Sequence, residues 1–240
     1  MTTRLMCLGD SNTTGDYGVS YVGMLAQRLA GADVTVTGSG VNGEVSYGLV
    51  QRLDPVIDQQ PTAITVLIGT NDAWGTLSDA NARQVVKRCE LPYAPSAPHF
   101  REHLASIVAR LQSATDARIA VLSPPVLGQQ LDSAAAHTGR EFAEIVADTA
   151  REYGLTYLPL FERQCEQLRN SDADPVPLRT GEREWYSAVL QHVLLRRSYD
   201  RISERRGLLL TTDHVHQNSR GAGMIADLIE QFVKDGVTDH

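Results

Sequence analysis

The chain has 240 residues, of which 42% are apolar and 21% are charged. These ordinary proportions exclude a disordered, collagen-like or coiled-coil chain and suit a single domain over residues 1–240. The 22 lysines and arginines against 29 acidic residues give a net charge of −7, which argues against a nucleic-acid-binding protein because such proteins need a basic surface.

Five short apolar runs, rich in β-branched residues, alternate with amphipathic stretches along the chain. The predicted strands cover residues 4–8, 33–37, 63–68, 118–122 and 155–158. Nearly continuous apolar strands separated by helices form parallel sheets with both faces covered, so the pattern predicts a three-layer α/β/α domain. We expect a flavodoxin-like, five-stranded parallel sheet with the strand order 2-1-3-4-5.

Local capping signals predict the ends of several helices. The predicted helices cover residues 20–31, residues 138–154 and the stretch that follows Asn218 or Ser219. Ser20 is expected to cap the first of these helices, and Thr138 with Glu141 forms a capping box that is expected to open the second.

Two connections do not fit the simple alternation of strands and helices. Residues 76–98 are predicted to form a polar connection that contains prolines. Residues 162–210 are predicted to hold an inserted loop with Pro175 and Pro177, followed by an extra helix of about six to seven turns before the C-terminal helix. Because ligands bind at the carboxyl ends of the strands, this insertion is a candidate pocket wall, lid or interface.

The extra helix lies within residues 179–206, which carry seven arginines against four acidic residues. Its predicted apolar stripe contains Trp185, Tyr186, Val189, Leu190, Val193 and Leu194. We expect this stripe to pack on the domain while the arginines face solvent. A homodimer contact or an interfacial contact with lipid is the alternative.

The cysteine count and the N-terminal sequence bear on the compartment. The three cysteines are Cys7, Cys89 and Cys165, and this odd number of widely spaced thiols fits no closed set of disulfides. The first apolar stretch, residues 5–8, is too short for a signal peptide, and no run is long enough to span a bilayer. We therefore expect a cytoplasmic protein with no integral membrane segment.

Four short motifs lie after predicted strands or just before the last helix. They are Gly9-Asp10-Ser11-Asn12, the single Gly43, Gly69-Thr70-Asn71-Asp72 and Asp213-His214-Val215-His216. The carboxyl ends of parallel strands meet at one edge of the sheet, so the fold is expected to gather the first three motifs there. The fourth motif can join them from the loop that precedes the last helix.

The residue types in these motifs are those that acyl transfer needs. Ser11 can supply a nucleophile, His216 a base that accepts its proton, and Asp213 a carboxylate that orients the imidazole. The backbone N–H groups of Ser11 and Gly43 and the side-chain amide of Asn71 can donate hydrogen bonds to an oxyanion.

In this combination and order, the motifs resemble the SGNH, or GDSL-like, hydrolase family of esterases and lipases. The similarity covers about residues 4–161 and 211–234, and Asn12 stands where the GDSL name has leucine. The resemblance implies a Ser-His-Asp triad of Ser11, His216 and Asp213. It also implies oxyanion roles for Ser11, Gly43 and Asn71, and hydrolysis of esters or thioesters with no metal or organic cofactor.

The sequence thus predicts a serine hydrolase that cleaves a small-molecule carboxylic ester through an acyl-enzyme. A carbohydrate O-acetyl esterase and an acyl thioesterase are alternatives within the same family. A non-catalytic binding module on a flavodoxin-like fold is an alternative of a different class.

Three further patterns in the sequence point to other assignments. Residues 38–43 fit the GxGxxG fingerprint, but they follow the second strand rather than the first, which argues against a nicotinamide enzyme. His99 and His103 fit the HxxEH motif of a zinc hydrolase, yet we expect a solvated pair because no third ligand is evident. His214 is an alternative base, although the D-x-x-H spacing favours His216.

Overall fold

A five-stranded sheet forms the centre of the computed structural model, which describes residues 2–179 and 182–236. The strands are β1 (Thr3–Gly9), β2 (Val34–Gly40), β3 (Ala63–Leu67), β4 (Arg118–Leu122) and β5 (Thr156–Leu158). Every neighbouring pair is parallel, and the order across the sheet is β2-β1-β3-β4-β5. The predicted fold class and strand order are therefore confirmed.

Helices connect the strands and follow the last one. Over the described residues they are α1 (Ser11–Thr14), α2 (Tyr21–Arg28), α3 (Ser46–Gln51), α4 (Asp54–Ile57), α5 (Thr70–Thr76), α6 (Asp79–Cys89), α7 (Ala97–Ala114), α8 (Ala134–Tyr153), α9 (Leu160–Arg169), α10 (Glu182–Leu195), α11 (Tyr199–Arg206) and α12 (Ser219–Asp235). Two predicted caps are confirmed, because the side chain of Ser20 accepts a hydrogen bond at the start of α2 and that of Asn218 does so at the start of α12.

The predicted start of α8 was wrong. Ser133 caps this helix by accepting a hydrogen bond from the Ala136 N–H at 3.2 Å, so Thr138 and Glu141 lie inside the helix. The three alanines at positions 134–136 favour helix and extend it toward the N-terminus.

Two connections contain more helix than the sequence pattern predicted. Residues 76–98 include α6, which the side chain of Ser78 caps by accepting from the Asn81 N–H. The single extra helix predicted within residues 179–206 is instead α10 followed by α11. Arg196 has a left-handed backbone with φ of 48°, and Ser198 caps a new helix there. Residues 180 and 181 of the predicted insertion lie outside the described residues.

Alternate side chains of the strands enter two separate cores. On β1, Met6 and Leu8 face the core beneath α7 and α8, whereas Leu5 and Cys7 face the core beneath α2 and α12. The apolar side of α7 is buried, and it consists of Phe100, Leu104, Ile107, Val108 and Leu111. The sheet is thus the middle of three layers.

The outer face of α10 is apolar and exposed. Ala188 is buried, and Trp185 and Val189 are half-buried. The exposed side chains are Tyr186, Leu190, Val193, Leu194 and Leu195, with exposed fractions of 56–68%. The expected packing of this stripe therefore holds on one side of the helix only. Across the described ranges, no helix combines the length and apolarity that crossing a bilayer demands.

The central strands end at the same level of the sheet. Gly9, the last residue of β1, pairs with Gly40 at the end of β2 and with Leu67 at the end of β3. The loops that follow these strands therefore leave the sheet side by side, at the edge where ligands bind in open α/β folds.

Replacing Gly69 with alanine tests the turn that leaves β3. Its φ is 113°, and a Cβ there would lie 2.7 Å from Cζ of Phe100, so we expect the free energy of unfolding to fall by roughly 2–3 kcal/mol. Gly154→Ala is the control, because Gly154 has a φ of 66° but no atom within 4 Å of its added Cβ. Urea unfolding should show a loss of about 1 kcal/mol for the control. Equal losses would contradict the clash with Phe100.

Candidate active site

A tight turn between β1 and α1 presents the hydroxyl of Ser11. Asp10 caps the short helix, because its Oδ1 accepts a hydrogen bond from the Asn12 N–H at 2.9 Å. Only glycine fits at position 9, since a Cβ there would lie 2.3 Å from the carbonyl oxygen of Leu67. The turn thereby fixes Ser11 directly at the end of the strand.

A second turn, before α12, holds Asp213 and His216. It is closed by a hydrogen bond of 2.8 Å from the Thr212 N–H to the His216 carbonyl. The Oδ1 of Asp213 accepts from the N–H groups of Val215 and His216, as aspartate side chains do in such turns. Its other oxygen, Oδ2, lies 2.7 Å from His216 Nδ1.

The two turns meet across the edge of the sheet. His216 Nε2 lies 2.9 Å from Ser11 Oγ, so the predicted nucleophile, base and carboxylate form one hydrogen-bonded row. His214 is not part of this row, because within the described chain its buried Nδ1 has no hydrogen-bond partner. The structure therefore places His216, not the alternative His214, against the serine.

The charges around the row act on its two titratable groups. Burial by itself would lower the pKa of His216, but the charge and hydrogen bond of Asp213, with the charge of Asp10, leave it above its ordinary value. Burial would likewise raise the pKa of Asp213, but the contacts with His216 hold it below its usual range. Asp213 therefore stays ionised, accepts from Nδ1–H and leaves Nε2 free to accept the serine proton.

Hydrogen-bond donors of the predicted oxyanion set surround this row. The backbone N–H groups of Ser11 and Gly43 donate to no other group in the part of the chain that the structure describes. The Asn71 Nδ2 donates to the Glu44 carbonyl at 3.0 Å, and its second hydrogen has only a long contact of 3.5 Å with Asp10 Oδ2. Unpaired donors on neighbouring loops are what an oxyanion requires.

Arg88 is a site residue that the sequence analysis missed. Its Nη2 donates to the Gly43 carbonyl at 3.0 Å and to Asn71 Oδ1 at 3.2 Å, so it links two loops and fixes the amide oxygen of Asn71 on the side of Arg88. The cap at Ser78 could have indicated α6, but no pattern in the sequence places an arginine of that helix at the ends of β2 and β3.

A cavity of about 140 Å³ opens onto the serine and the histidine. Besides the predicted site residues, its walls include Tyr17, Asn42, Trp74, Gln84, Arg88, Arg179, Glu184, Trp185 and Val215. The rings of Tyr17 and Trp185 lie 5.2 Å apart, and the same tyrosine packs edge-on against His216. The insertion therefore forms one wall of the pocket, which is one of the roles expected for it.

The other two patterns weighed in the sequence do not form sites here. Gly38 and Gly40 lie within β2, so residues 38–43 do not make the turn that a dinucleotide fingerprint needs. The expected solvated pair was wrong for His103, which is buried between Ser46 and Tyr93 with a hydrogen bond at each ring nitrogen. In the described ranges no three metal-binding side chains cluster together.

Solved structures resemble this fold over nearly the whole chain. The acetylxylan esterase Axe2 from Geobacillus stearothermophilus is 17% identical, with coverage of 95% of this chain and 93% of that chain and a TM-score of 0.67. LAE5, an alpha/beta hydrolase enzyme from the metagenome of Lake Arreo, Spain, is also 17% identical, with the same coverage and a TM-score of 0.64. At such identities the likeness shows the fold alone.

Sequence comparison identifies the family. No curated protein matches the chain. Residues 7–222 match the GDSL-like Lipase/Acylhydrolase family, in agreement with the resemblance carried by the four motifs. Because this match spans most of the 240 residues, the chain belongs to the GDSL-like Lipase/Acylhydrolase family and is a carboxylic ester hydrolase.

Proposed function

We propose that the chain is one catalytic domain over residues 1–240, in which Ser11, His216 and Asp213 act as a triad that cleaves carboxylic esters. The observation that carries this proposal is the row of hydrogen bonds, 2.9 Å from Ser11 to His216 and 2.7 Å from His216 to Asp213. Three solved structures of Axe2 are catalytic mutants in which a serine, an aspartate or a histidine becomes alanine. In that enzyme the aspartate precedes the histidine by three positions, as Asp213 precedes His216.

The proposed reaction has two steps, each with a tetrahedral intermediate. His216 Nε2 takes the proton of Ser11 while Oγ bonds to the ester carbonyl carbon, and Asp213 stabilises the resulting imidazolium. The N–H groups of Ser11 and Gly43 and the Asn71 amide receive the negative oxygen. The alcohol leaves with the proton from His216, and water then cleaves the acyl-enzyme by the same route, which regenerates the Ser11 hydroxyl.

Replacing Ser11 with alanine tests the nucleophile. We expect Ser11→Ala to abolish p-nitrophenyl acetate turnover and labelling by a fluorophosphonate, because only an activated serine reacts with that probe. Asn71→Ala should still be labelled by the fluorophosphonate at Ser11, but its kcat should fall by about 10²- to 10³-fold. Retained turnover in Ser11→Ala would refute the assignment, and an unlabelled wild-type protein would favour the non-catalytic binding module.

The pH dependence of turnover tests the base. His216 must be neutral to accept the proton, so kcat/KM should rise with pH through a pKa above about 6.5, the ordinary value for histidine. Asp213→Asn removes the charge that raises the pKa of His216, so the ring should titrate at a lower pH by NMR. A titration that is unchanged in Asp213→Asn would contradict the pairing of these residues.

We further propose an acetylated saccharide as the substrate, which makes the chain a carbohydrate O-acetyl esterase. A cavity of about 140 Å³ suits a short acyl group. The aromatic rings of Tyr17, Trp74 and Trp185 on its walls suit the apolar faces of a sugar ring, and the polar walls suit its hydroxyl groups. Axe2, with the same fold, is an acetylxylan esterase. The acyl thioesterase stays the alternative.

Trp185 tests this substrate class. Trp185→Ala should raise KM for an acetylated xylo-oligosaccharide about fivefold, the loss of ~1 kcal/mol of ring stacking, with little change for p-nitrophenyl acetate. Leu190→Ala is a matched control on the same helix, because that side chain is exposed and does not line the cavity. A higher kcat/KM for p-nitrophenyl decanoate than for the acetylated sugar would favour a lipase instead.

The homodimer or interfacial contact through residues 179–206 stays a prediction. The exposed apolar face of α10 is the surface on which either contact would form.

A further inference from the structure

A second group of hydrogen-bonded side chains lies behind the loops that hold Gly43 and Asn71. Asp72, in the first turn of α5, accepts from the Ser46 N–H at 3.0 Å and from the Ser46 hydroxyl at 2.6 Å. Ser46 begins α3, where the N-cap residue is Val45 and has no side-chain acceptor. Asp72 therefore supplies, from a neighbouring helix, the cap that the local sequence of α3 lacks.

The same group continues to the surface through His103 and Tyr93. His103 Nδ1 lies 3.0 Å from Ser46 Oγ, and its Nε2 lies 2.7 Å from the Tyr93 hydroxyl. Because the Ser46 proton already points at Asp72, His103 must donate from Nδ1 and accept from Tyr93 at Nε2. In this series of hydrogen bonds, each donor thus points toward the buried carboxylate of Asp72. Hydrogen bonds aligned in this way strengthen one another.

These contacts join the two loops from which the oxyanion donors come. Gly43 lies three residues before Ser46, and Asn71 lies directly before Asp72. Between them, Asn71 Nδ2 donates to the Glu44 carbonyl at 3.0 Å. A shift of Ser46 away from Asp72 would therefore move the N–H of Gly43 relative to the amide of Asn71.

We propose that Asp72, Ser46 and His103 are positioning residues that hold the loop of residues 41–45 against the start of α5. They set the spacing between Gly43 N–H and Asn71 Nδ2, and this inference rests on the proposed function of those donors. Displacing a catalytic group by about 1 Å can lower the rate by up to about 10²-fold. The three positioning residues therefore affect kcat without contacting the substrate.

The cost of the buried carboxylate supports a specific role for it. Burial and, to a smaller extent, the nearby charge of Asp10 raise the pKa of Asp72 to about 6 against the opposing effect of its bonds from Ser46. An uncharged amide at this position could not accept both the N–H and the O–H of Ser46 without also presenting hydrogens to them.

Ser46→Ala tests the proposal, with Ser123→Ala as its matched control. Both hydroxyls are fully buried and donate to a carboxylate. Ser123 directly follows β4, and its hydroxyl hydrogen-bonds with Glu162 and with the Phe161 N–H, neither of which belongs to an oxyanion loop. We expect Ser46→Ala to lower kcat for p-nitrophenyl acetate about tenfold, less than loss of a whole donor, with KM unchanged. Ser123→Ala should keep kcat even where urea unfolding shows a similar loss of stability.

Asp72→Asn is the second variant. Besides kcat, amide hydrogen exchange is measured for it. The Ser46 amide should exchange faster in Asp72→Asn but not in Ser123→Ala, whether or not turnover is measured. Faster exchange with wild-type kcat, or a fall in kcat that Ser123→Ala shares, would overturn the positioning role. The kcat values and exchange rates of the variants are compared with those of the wild-type protein. If the wild-type protein showed neither turnover nor fluorophosphonate labelling, that result would instead count against the proposed function.

Discussion

The registration of three parallel strands is the constraint on which the site depends. Gly9, Gly40 and Leu67 pair across the sheet, so the turns after β1, β2 and β3 begin at one level and converge. Side chains cannot occupy position 9, because the chain turns there against the Leu67 carbonyl. The close approach of backbones at this edge brings Ser11, Gly43 and Asn71, on three adjacent loops, to the same small cavity.

Three buried aspartates stabilise the loops at this edge, and each does so by accepting backbone N–H groups. Asp10 caps α1, Asp72 caps α3 from a neighbouring helix, and Asp213 accepts from two N–H groups within the turn before α12. Taking a carboxylate out of water is costly unless its oxygens are hydrogen-bonded, and both oxygens of Asp72 and of Asp213 meet that condition, as does Oδ1 of Asp10. Each of the three loops at this edge is thus held by a buried carboxylate of its own or of a neighbouring helix.

The pocket is assembled from two kinds of structure. The hydrogen-bonded row and its donors come from the turns of the sheet, whereas Arg179, Glu184 and Trp185 come from the insertion. The proposed reacting groups therefore lie on the turns of the sheet, and the insertion completes the wall of the cavity together with Tyr17 and Trp74. Substrate preference can change with the insertion while the turns of the sheet stay as they are.

The sequence by itself determined the layers and the four motifs, because apolar periodicity and turn residues are local signals, and the strand order followed from the flavodoxin-like fold that this alternation predicts. It failed at Thr138, where Ser133 competes as a cap, and at residues 179–206, where Arg196 breaks one helix into two. Only the tertiary structure decided that Arg88 and the hydrogen-bonded group of Asp72, Ser46, His103 and Tyr93 lie beside the site. Those contacts join residues distant in sequence, and the packing of helices on the sheet, which no local pattern encodes, brings them within hydrogen-bonding distance.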